Sequence, residues 1–262
     1  MIDLFVWEWE WQLPLIATLV IAELGFFAVW ARRKSRGCLE RRSSSALALF
    51  TAGLLVFALS VMSPIGSNDE RLLSMHMIEH DLLMWVTAPL LVSGSLALVA
   101  DGRWLPASLG RSIAFLTHPI VAFTISTVLL WAWHAPAAYG LALTNLPIHG
   151  VEHLSFLVAY IIFWWPLIAA PSVLGGLQSS AARVGYLLAG AMQSGLLGAL
   201  LTFATSSWYP HYALVPGATV ASALADQRLA GAIMWYPGAI VFALAAALTL
   251  RARVRESVAA AG

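Results

Sequence analysis

Residues 46–62 read ALALFTAGLLVFALSVM, an apolar run without a single charged side chain. A helix that crosses the hydrocarbon core of a bilayer needs about 20 mostly apolar residues. This run therefore predicts a membrane-spanning helix, and comparable runs lie on both sides of it. Seven spans are predicted in this way, at about 13–31, 46–62, 75–100, 116–134, 149–170, 184–205 and 229–250.

The composition of the whole chain agrees with these spans. Hydrophobic residues make up 60% of the 262 residues and charged residues only 10%, whereas soluble domains carry about 25% charged residues. We therefore expect an all-α integral membrane protein, a seven-transmembrane-helix bundle in the lipid bilayer whose single transmembrane domain covers residues 1–262. The basic residues lie in loops beside apolar runs, which argues against a nucleic-acid partner.

The distribution of Lys and Arg predicts the orientation, because loops on the cytoplasmic side carry an excess of basic residues. The loops after the first, third and fifth spans and the C-terminal tail hold all but two of the 14 basic residues, and the exceptions are Arg71 and Arg228. These four segments alternate along the chain as one side of a membrane requires. We therefore expect the N-terminus outside and the C-terminus in the cytoplasm, in the bacterial cytoplasmic (inner) membrane.

Cysteine usage and the start of the chain add two expectations. The single cysteine, Cys38, lies in the most basic loop, so a disulfide within the chain is impossible and thiolate metal motifs such as C-x-x-C are absent. Residues 1–12 are acidic and rich in Trp and lack a basic start. We therefore expect no cleaved signal peptide.

Histidine placement is the most informative feature of the sequence. Only His118, which precedes Pro119, falls at the cytoplasmic end of a predicted span, where we interpret it as a helix-start residue. The other six of the seven histidines fall on the predicted outer side. They are His76, His80, His134, His149, His153 and His211.

The motif H-x-x-E-H opens both the third and the fifth predicted spans. At about 100° per residue, the two His and the Glu of each copy share one arc of a helix. Both spans run from outside to inside, so the two arcs can face each other at one depth, with His134 arriving at the same level. The two copies are His76-Met-Ile-Glu79-His80 and His149-Gly-Val-Glu152-His153.

Ionisable side chains within membrane spans are rare and usually functional, so this pattern predicts a metal site. The alternative is a structural polar network between helices, and for His211 alone the two interpretations weigh about equally. The predicted ligands are His76, Glu79, His80, His134, His149, Glu152, His153 and His211.

Ligand chemistry narrows the choice of metal. Imidazole suits copper, zinc, iron and nickel, while thioether ligands select reduced copper. Met75 and Met77 flank His76, and Met62 and Met234 lie on the same predicted side, although methionine in a helix more often serves packing. The two glutamates are either ligands or groups that fix the imidazole tautomer.

Asp226 opens the seventh predicted span on the same side. A carboxylate at a helix start commonly caps the free N–H groups of the first turn. We expect Asp226 to cap this helix, with pairing to Arg228 or to a histidine as the alternatives.

Taken together, the motifs resemble those of the polytopic CtaG-type assembly factors of caa-type cytochrome c oxidase, over most of the chain. The resemblance implies a non-enzymatic role in maturing a copper-containing oxidase, by providing or inserting copper at the outer face. It implies cytochrome c oxidase subunits as partners, and a periplasmic copper chaperone is a further candidate partner. The motifs are His76-Met77-x-x-His80 with Pro89, His118-Pro119, Leu130-Trp131-x-Trp133-His134-x-Pro136, His149-x-x-Glu152-His153, Phe163-Trp164-Trp165-Pro166 and Asp226-Gln227-x-x-Ala230-Gly231-x-Ile233-Met234-Trp235.

Two other functions stay open at this point. H-x-x-E-H also occurs in inverted zinc proteases, where two His hold zinc and the Glu activates water, and membrane di-iron hydroxylases also use histidine boxes. A zinc or di-iron membrane metalloenzyme is therefore one alternative. A bis-histidine haem protein, with the ring held between the third and fifth spans, is the other.

Overall fold

Helices make up most of the chain that the computed structural model describes, namely residues 4–36, 43–99, 107–169 and 176–261, and no strand occurs within those ranges. The predicted all-α class is confirmed. A 3₁₀ turn at Gly66–Asn68 and a π-helical segment at Leu82–Thr87 occur as well. The α-helices are α1 Leu13–Ser35, α2 Ser43–Met62, α3 Leu73–Asp81, α4 Ala88–Val99, α5 Ala107–Leu116, α6 Pro119–Trp133, α7 Pro136–Thr144, α8 Leu146–Ile168, α9 Ser180–Thr202, α10 His211–Leu214 and α11 Val220–Ala261.

The lengths and composition of these helices are those of a membrane protein. Among the described residues, four helical segments are long and apolar enough to cross a bilayer, and a fifth results if the bent pair Ser108–Leu116 and Pro119–Trp133 forms one broken span. Helices also occupy the third and seventh predicted stretches. The total of seven spans and the orientation stay predictions. The four segments are Leu13–Ser35, Ser45–Asn68, Leu146–Ile168 and Ser180–Thr202.

The chain bends at the start of the fourth predicted span, between α5 and α6. Helices α5 and α6 meet at an angle of 64°. Pro119 begins α6, and His118 before it is extended, with φ −60° and ψ 129°. Proline lacks an N–H and disfavours helical geometry in the residue before it. The dipeptide that predicts a helix start therefore also separates the two helices.

The third predicted span runs through α3, the π-helical segment and α4 without a break. The π-helical geometry is rare and occurs mostly near functional sites. Within this region the indole N–H of Trp85 donates to Asp81 at 3.0 Å, and Trp164 of α8 donates to the backbone oxygen of Met84 at 2.9 Å. Helix α8 is thus fixed against this segment, close after His80.

Helices α9 and α11 approach each other where Gly198 meets Gly231. A Cβ atom on Gly231 would lie 2.5 Å from the carbonyl oxygen of Gly198 and 2.6 Å from the backbone nitrogen of Thr202. Small residues permit such close contact between helices in membranes. The crossing fixes α11 in the bundle, with Asp226 at its N-terminal part.

The segment before α1 packs on the loop between α2 and α3. The Asn68 side chain donates to the backbone oxygens of Val6 and Pro64, each at 2.7 Å, and accepts from the backbone N–H of Val6 at 2.7 Å. The backbone N–H of Glu10 donates to Met62 at 2.9 Å. The segment therefore covers the end of the bundle where α1 and α3 begin.

Candidate metal centre

Helices α3 and α8 bring the two H-x-x-E-H motifs face to face. The ring centroids of His76 and His149 lie 5.2 Å apart, and those of His80 and His153 also lie 5.2 Å apart. All four residues are buried. The arc that helical periodicity predicts on each helix is therefore present, and the two arcs meet.

Glu152 lies between these rings and is fully buried. One carboxylate oxygen lies 3.7 Å from Nε2 of His76, and the other lies 3.8 Å from Nε2 of His80. Donor atoms of His76, His149, Glu152 and His153 all lie within 4.8 Å of one another. Donors around a tetrahedral ion with bonds of about 2.0–2.1 Å would be about 3.4 Å apart, so the four donors converge but are spaced more widely than around a bound ion. We call these four residues and His80 the histidine–glutamate cluster.

Many polar atoms of the cluster have no hydrogen-bond partner within the described part of the chain. They include both ring nitrogens of His76, both of His80 and both carboxylate oxygens of Glu152. Each buried polar group left without a partner costs about 1–3 kcal/mol, so several in one place indicate a partner that the chain does not itself supply. Imidazole and carboxylate are ligands of copper, zinc and iron, and the donor set therefore fits a transition metal ion.

Two further carboxylates, from Glu79 and Asp69, contact the two histidines of α8, His153 and His149. Oε1 of Glu79 lies 3.4 Å from Nδ1 of His153, and Oδ2 of Asp69 lies 3.3 Å from Nε2 of His149. Carboxylates placed in this way fix the orientation and tautomer of an imidazole. Glu79 is thus brought to the cluster, but beside His153 rather than among the four converging donors.

Asp69 is a site residue that the sequence analysis missed. It lies in the loop between α2 and α3, and its only signal in the sequence is an acidic side chain shortly before the third predicted span. Burial raises the pKa of Asp69 to about 8, and the charge of Glu70 adds to this increase. The Asp69 carboxyl group is therefore protonated more readily than that of an exposed aspartate.

His134 lies at the edge of the cluster, at the end of α6. Its ring centroid is 6.2 Å from that of His80. Its Nδ1 atom lies 2.7 Å from the backbone oxygen of Leu130, and its Nε2 atom lies 3.4 Å from Sδ of Met77. The sequence placed His134 at this level but did not identify Met77 as its neighbour.

The structure does not bring His211 to the cluster, so the expectation that it joins the other ligands is corrected. His211 lines a separate cavity of about 260 Å³ with Glu70 and Arg71. The side chain that points into the bundle is that of the next residue, Tyr212. Its hydroxyl donates to the backbone oxygen of Asp69 at 2.8 Å. Consecutive residues of a helix point about 100° apart, so the two side chains of α10 diverge.

Asp226 also differs from its expected role, because it caps α3 rather than its own helix. Its carboxylate accepts from the backbone N–H of Ser74 at 3.2 Å and from the Ser74 hydroxyl at 2.5 Å. Helix α11 begins already at Val220, so Asp226 lies inside it and faces a neighbouring helix. The start of α3 is thereby held two residues before His76.

An acidic cavity of about 840 Å³ reaches the cluster from the end of the bundle that the sequence predicts to be extracytoplasmic. Its walls include residues of the segment before α1, of the loop between α2 and α3, and of α8. His149 and His153 of the cluster are among the residues that line it. Acidic residues outnumber basic ones among the charged residues that line it, which are Glu10, Asp69, Glu70, Glu79 and Arg71.

The fold and the site define a helical membrane protein with a buried centre of histidine and carboxylate side chains. Comparison with known proteins assigns the family. The chain belongs to the family of cytochrome c oxidase caa3 assembly factors (Caa3_CtaG), whose profile matches residues 24–256. The resemblance drawn from the motifs is therefore confirmed.

Longer proteins of mycobacteria are similar to this chain. Uncharacterized protein ML1998 of Mycobacterium leprae is 25% identical over 250 residues, which are 88% of this chain and 37% of that protein. Uncharacterized protein Mb0105 of Mycobacterium bovis is 26% identical over 243 residues, which are 87% of this chain and 36% of that protein. The chain thus spans little more than a third of the length of these relatives. No solved structure matches it.

Proposed function

We propose that this protein binds copper at the outer face of the bacterial cytoplasmic membrane and supports its insertion into cytochrome c oxidase. The observation that carries the proposal is the convergence of three imidazoles and one carboxylate, from His76, His149, Glu152 and His153, within 4.8 Å. Copper is the cargo in this proposal, and the chain holds and releases it without catalysing a reaction. Family membership supports the link to the oxidase.

The proposed topology has seven spans, with the N-terminus outside and the C-terminus in the cytoplasm. The uneven distribution of Lys and Arg supports this orientation. Trp7 and Trp11 before α1 are 77% and 70% exposed, and exposed indole side chains favour the interface between lipid and water. The cluster would then lie just inside the outer surface, within reach of a donor protein.

The acidic cavity is the proposed route of the metal ion. Carboxylates along a cleft with low-dielectric walls raise the local concentration of cations. Glu10 and Glu70 line the cavity, as do His149 and His153 of the cluster. A periplasmic copper chaperone is the proposed donor at this opening, and an oxidase subunit is the proposed acceptor.

The donor set also supports a second candidate, a zinc or iron membrane enzyme. Three imidazoles and one carboxylate suit either metal. The family description favours the assembly role, and the metal present in the purified protein separates the two. A haem between α3 and α8 is less well supported, because the facing rings of His80 and His153 have centroids only 5.2 Å apart, with Glu152 beside them.

The test is the copper content of the oxidase in cells. A strain that lacks this protein is complemented with wild type, with the double variant His76→Ala, His149→Ala, or with His118→Ala as the matched control. His118 lies between α5 and α6, outside the cluster. We expect wild type and the control to restore a copper-replete oxidase and the double variant to leave it copper-deficient, at equal amounts of each variant in the membrane. Normal oxidase copper with the double variant would refute the proposal.

A further inference from the structure

The tautomer of His134 follows from its hydrogen bond. The Leu130 carbonyl, 2.7 Å from Nδ1, can only accept, so Nδ1 carries the proton. In the neutral ring the other nitrogen, Nε2, then bears a lone pair and no proton. His134 is 2% exposed and lies away from bulk water.

The lone pair of Nε2 points at a second acceptor. Sδ of Met77 lies 3.4 Å away, and a thioether has no proton to donate. Two buried acceptors in contact are unfavourable unless a cation lies between them or the ring takes up a second proton. For an ion bound tetrahedrally at about 2.0 Å from nitrogen and about 2.3 Å from sulfur, the two donors would be about 3.5 Å apart. The observed contact has this spacing.

His80 supplies a third donor beside this pair. Both of its ring nitrogens are buried without a hydrogen-bond partner in the described chain. Its ring centroid lies 6.2 Å from that of His134 and 5.2 Å from that of His153. His80 therefore stands between the Met77–His134 pair and the four converging donors of the cluster.

The geometry points to a second copper site, formed by Met77, His80 and His134, that takes the reduced ion Cu⁺. Thioether and imidazole together select reduced copper, whereas the carboxylate of Glu152 makes the neighbouring four-donor site harder. The second site has softer ligands than the four-donor site, and His80 lies between the two. This inference rests on the proposed copper function and adds a soft site to it.

The binding of Cu⁺ to the purified full-length protein tests the inference. The protein in detergent is titrated anaerobically with Cu⁺ against a chromophoric chelator, and X-ray absorption then records the ligands of the bound metal. We expect at least one equivalent of Cu⁺ in wild type, with a sulfur ligand at about 2.3 Å. Met77→Leu, which nearly conserves volume, should lose one equivalent and the sulfur signal. His149→Ala should keep the sulfur signal.

Met84→Leu is the matched control, because Met84 is equally buried and lies one residue before Trp85 in the π-helical segment rather than beside His134. It should bind copper as wild type does. Copper bound by nitrogen and oxygen alone in wild type, or an unchanged sulfur signal in Met77→Leu, would overturn the second site and leave the proposed function standing. Wild-type protein that binds no copper would refute both.

Discussion

Asp226 of α11 accepts two hydrogen bonds from Ser74 of α3, across a separation of 152 residues. Ser74 lies in the first turn of α3, two residues before His76. The position of the first cluster histidine therefore depends on a helix at the far end of the chain. The cluster is a product of the assembled bundle rather than of α3 and α8 alone.

Replacing Asp226 should loosen the start of α3. Asp226→Ala leaves the buried N–H and hydroxyl of Ser74 without an acceptor, and we expect a loss of about 1–3 kcal/mol in the free energy of unfolding. Asp226→Asn keeps one acceptor oxygen and should lose less. Unfolding of both variants in detergent measures the difference. Equal stability of Asp226→Ala and wild type would contradict the capping role.

The long helices of this bundle could be predicted from the sequence, because an apolar run of about 20 residues by itself indicates a membrane-spanning helix. The run at 46–62 lies within α2, and the predicted span at 149–170 overlaps α8. The short helix α7 lacks such a run, and its ends are set by Pro136 and Asn145. The bend at Pro119 was visible as a helix start but not as an angle between two helices, because that angle depends on packing.

The orienting role of Glu79 leads to a second prediction. Glu79 contacts Nδ1 of His153 and lies outside the four-donor group, whereas Glu152 belongs to it. We expect Glu79→Gln to weaken copper binding about 10–100-fold, as loss of an outer partner of a metal ligand typically does. Glu152→Gln should weaken it more, since it removes a donor. Competition with a chelator gives both affinities, and the reverse order would exchange the two roles.

Glu70→Gln is the control for both glutamate variants. Glu70 lines the acidic cavity but does not belong to the four-donor group. The Glu70→Gln variant should bind copper with almost unchanged affinity at equilibrium. It should take up copper more slowly at low ionic strength, because charges along a cleft act mainly on the rate of association. A large loss of affinity in Glu70→Gln would show that the cavity itself holds the ion.

The crossing of α9 and α11 provides a prediction about stability. Gly231→Ala places a methyl group 2.5 Å from the carbonyl oxygen of Gly198, so the helices must separate and the midpoint of thermal unfolding should fall. The control is Gly185→Ala on α9, where an added Cβ meets nothing within 4 Å. That substitution should be neutral or should stabilise by about 0.5–1 kcal/mol, as Ala favours helix. Equal melting temperatures in the two variants would contradict the close crossing.

The raised pKa of Asp69 predicts how the metal-free protein responds to pH. The carboxyl group titrates near 8 in the folded protein and near the ordinary value of 3.8 when unfolded. Between these values the folded state binds a proton that the unfolded state has released, so stability should fall as pH rises through this window. Asp69→Asn cannot titrate and should show a shallower fall. Melting temperatures in the presence of a chelator between about pH 5 and about pH 8 test this, and parallel curves would contradict it.

The site could be predicted only in part. The spacing of H-x-x-E-H indicated which side chains share a helix face, because that relation is local. The contacts of Asp69 with His149 and of Met77 with His134 join residues far apart in sequence, and a single sequence does not reveal them. His211 was grouped with the other histidines because it lies on the same predicted side of the membrane. The side of the membrane gives the depth of a residue but not the direction in which its side chain points.

A copper centre between α3 and α8 is tested most directly by metal analysis of the purified full-length protein, with and without the facing histidines. After loading with copper, zinc and iron in competition, wild-type protein should retain copper in stoichiometric amount. The double variant His76→Ala, His149→Ala should lose the ion that the four-donor site holds, while His118→Ala should behave as wild type. Stoichiometric zinc or iron without copper in wild-type protein, or full copper in the double variant, would contradict a copper centre between α3 and α8.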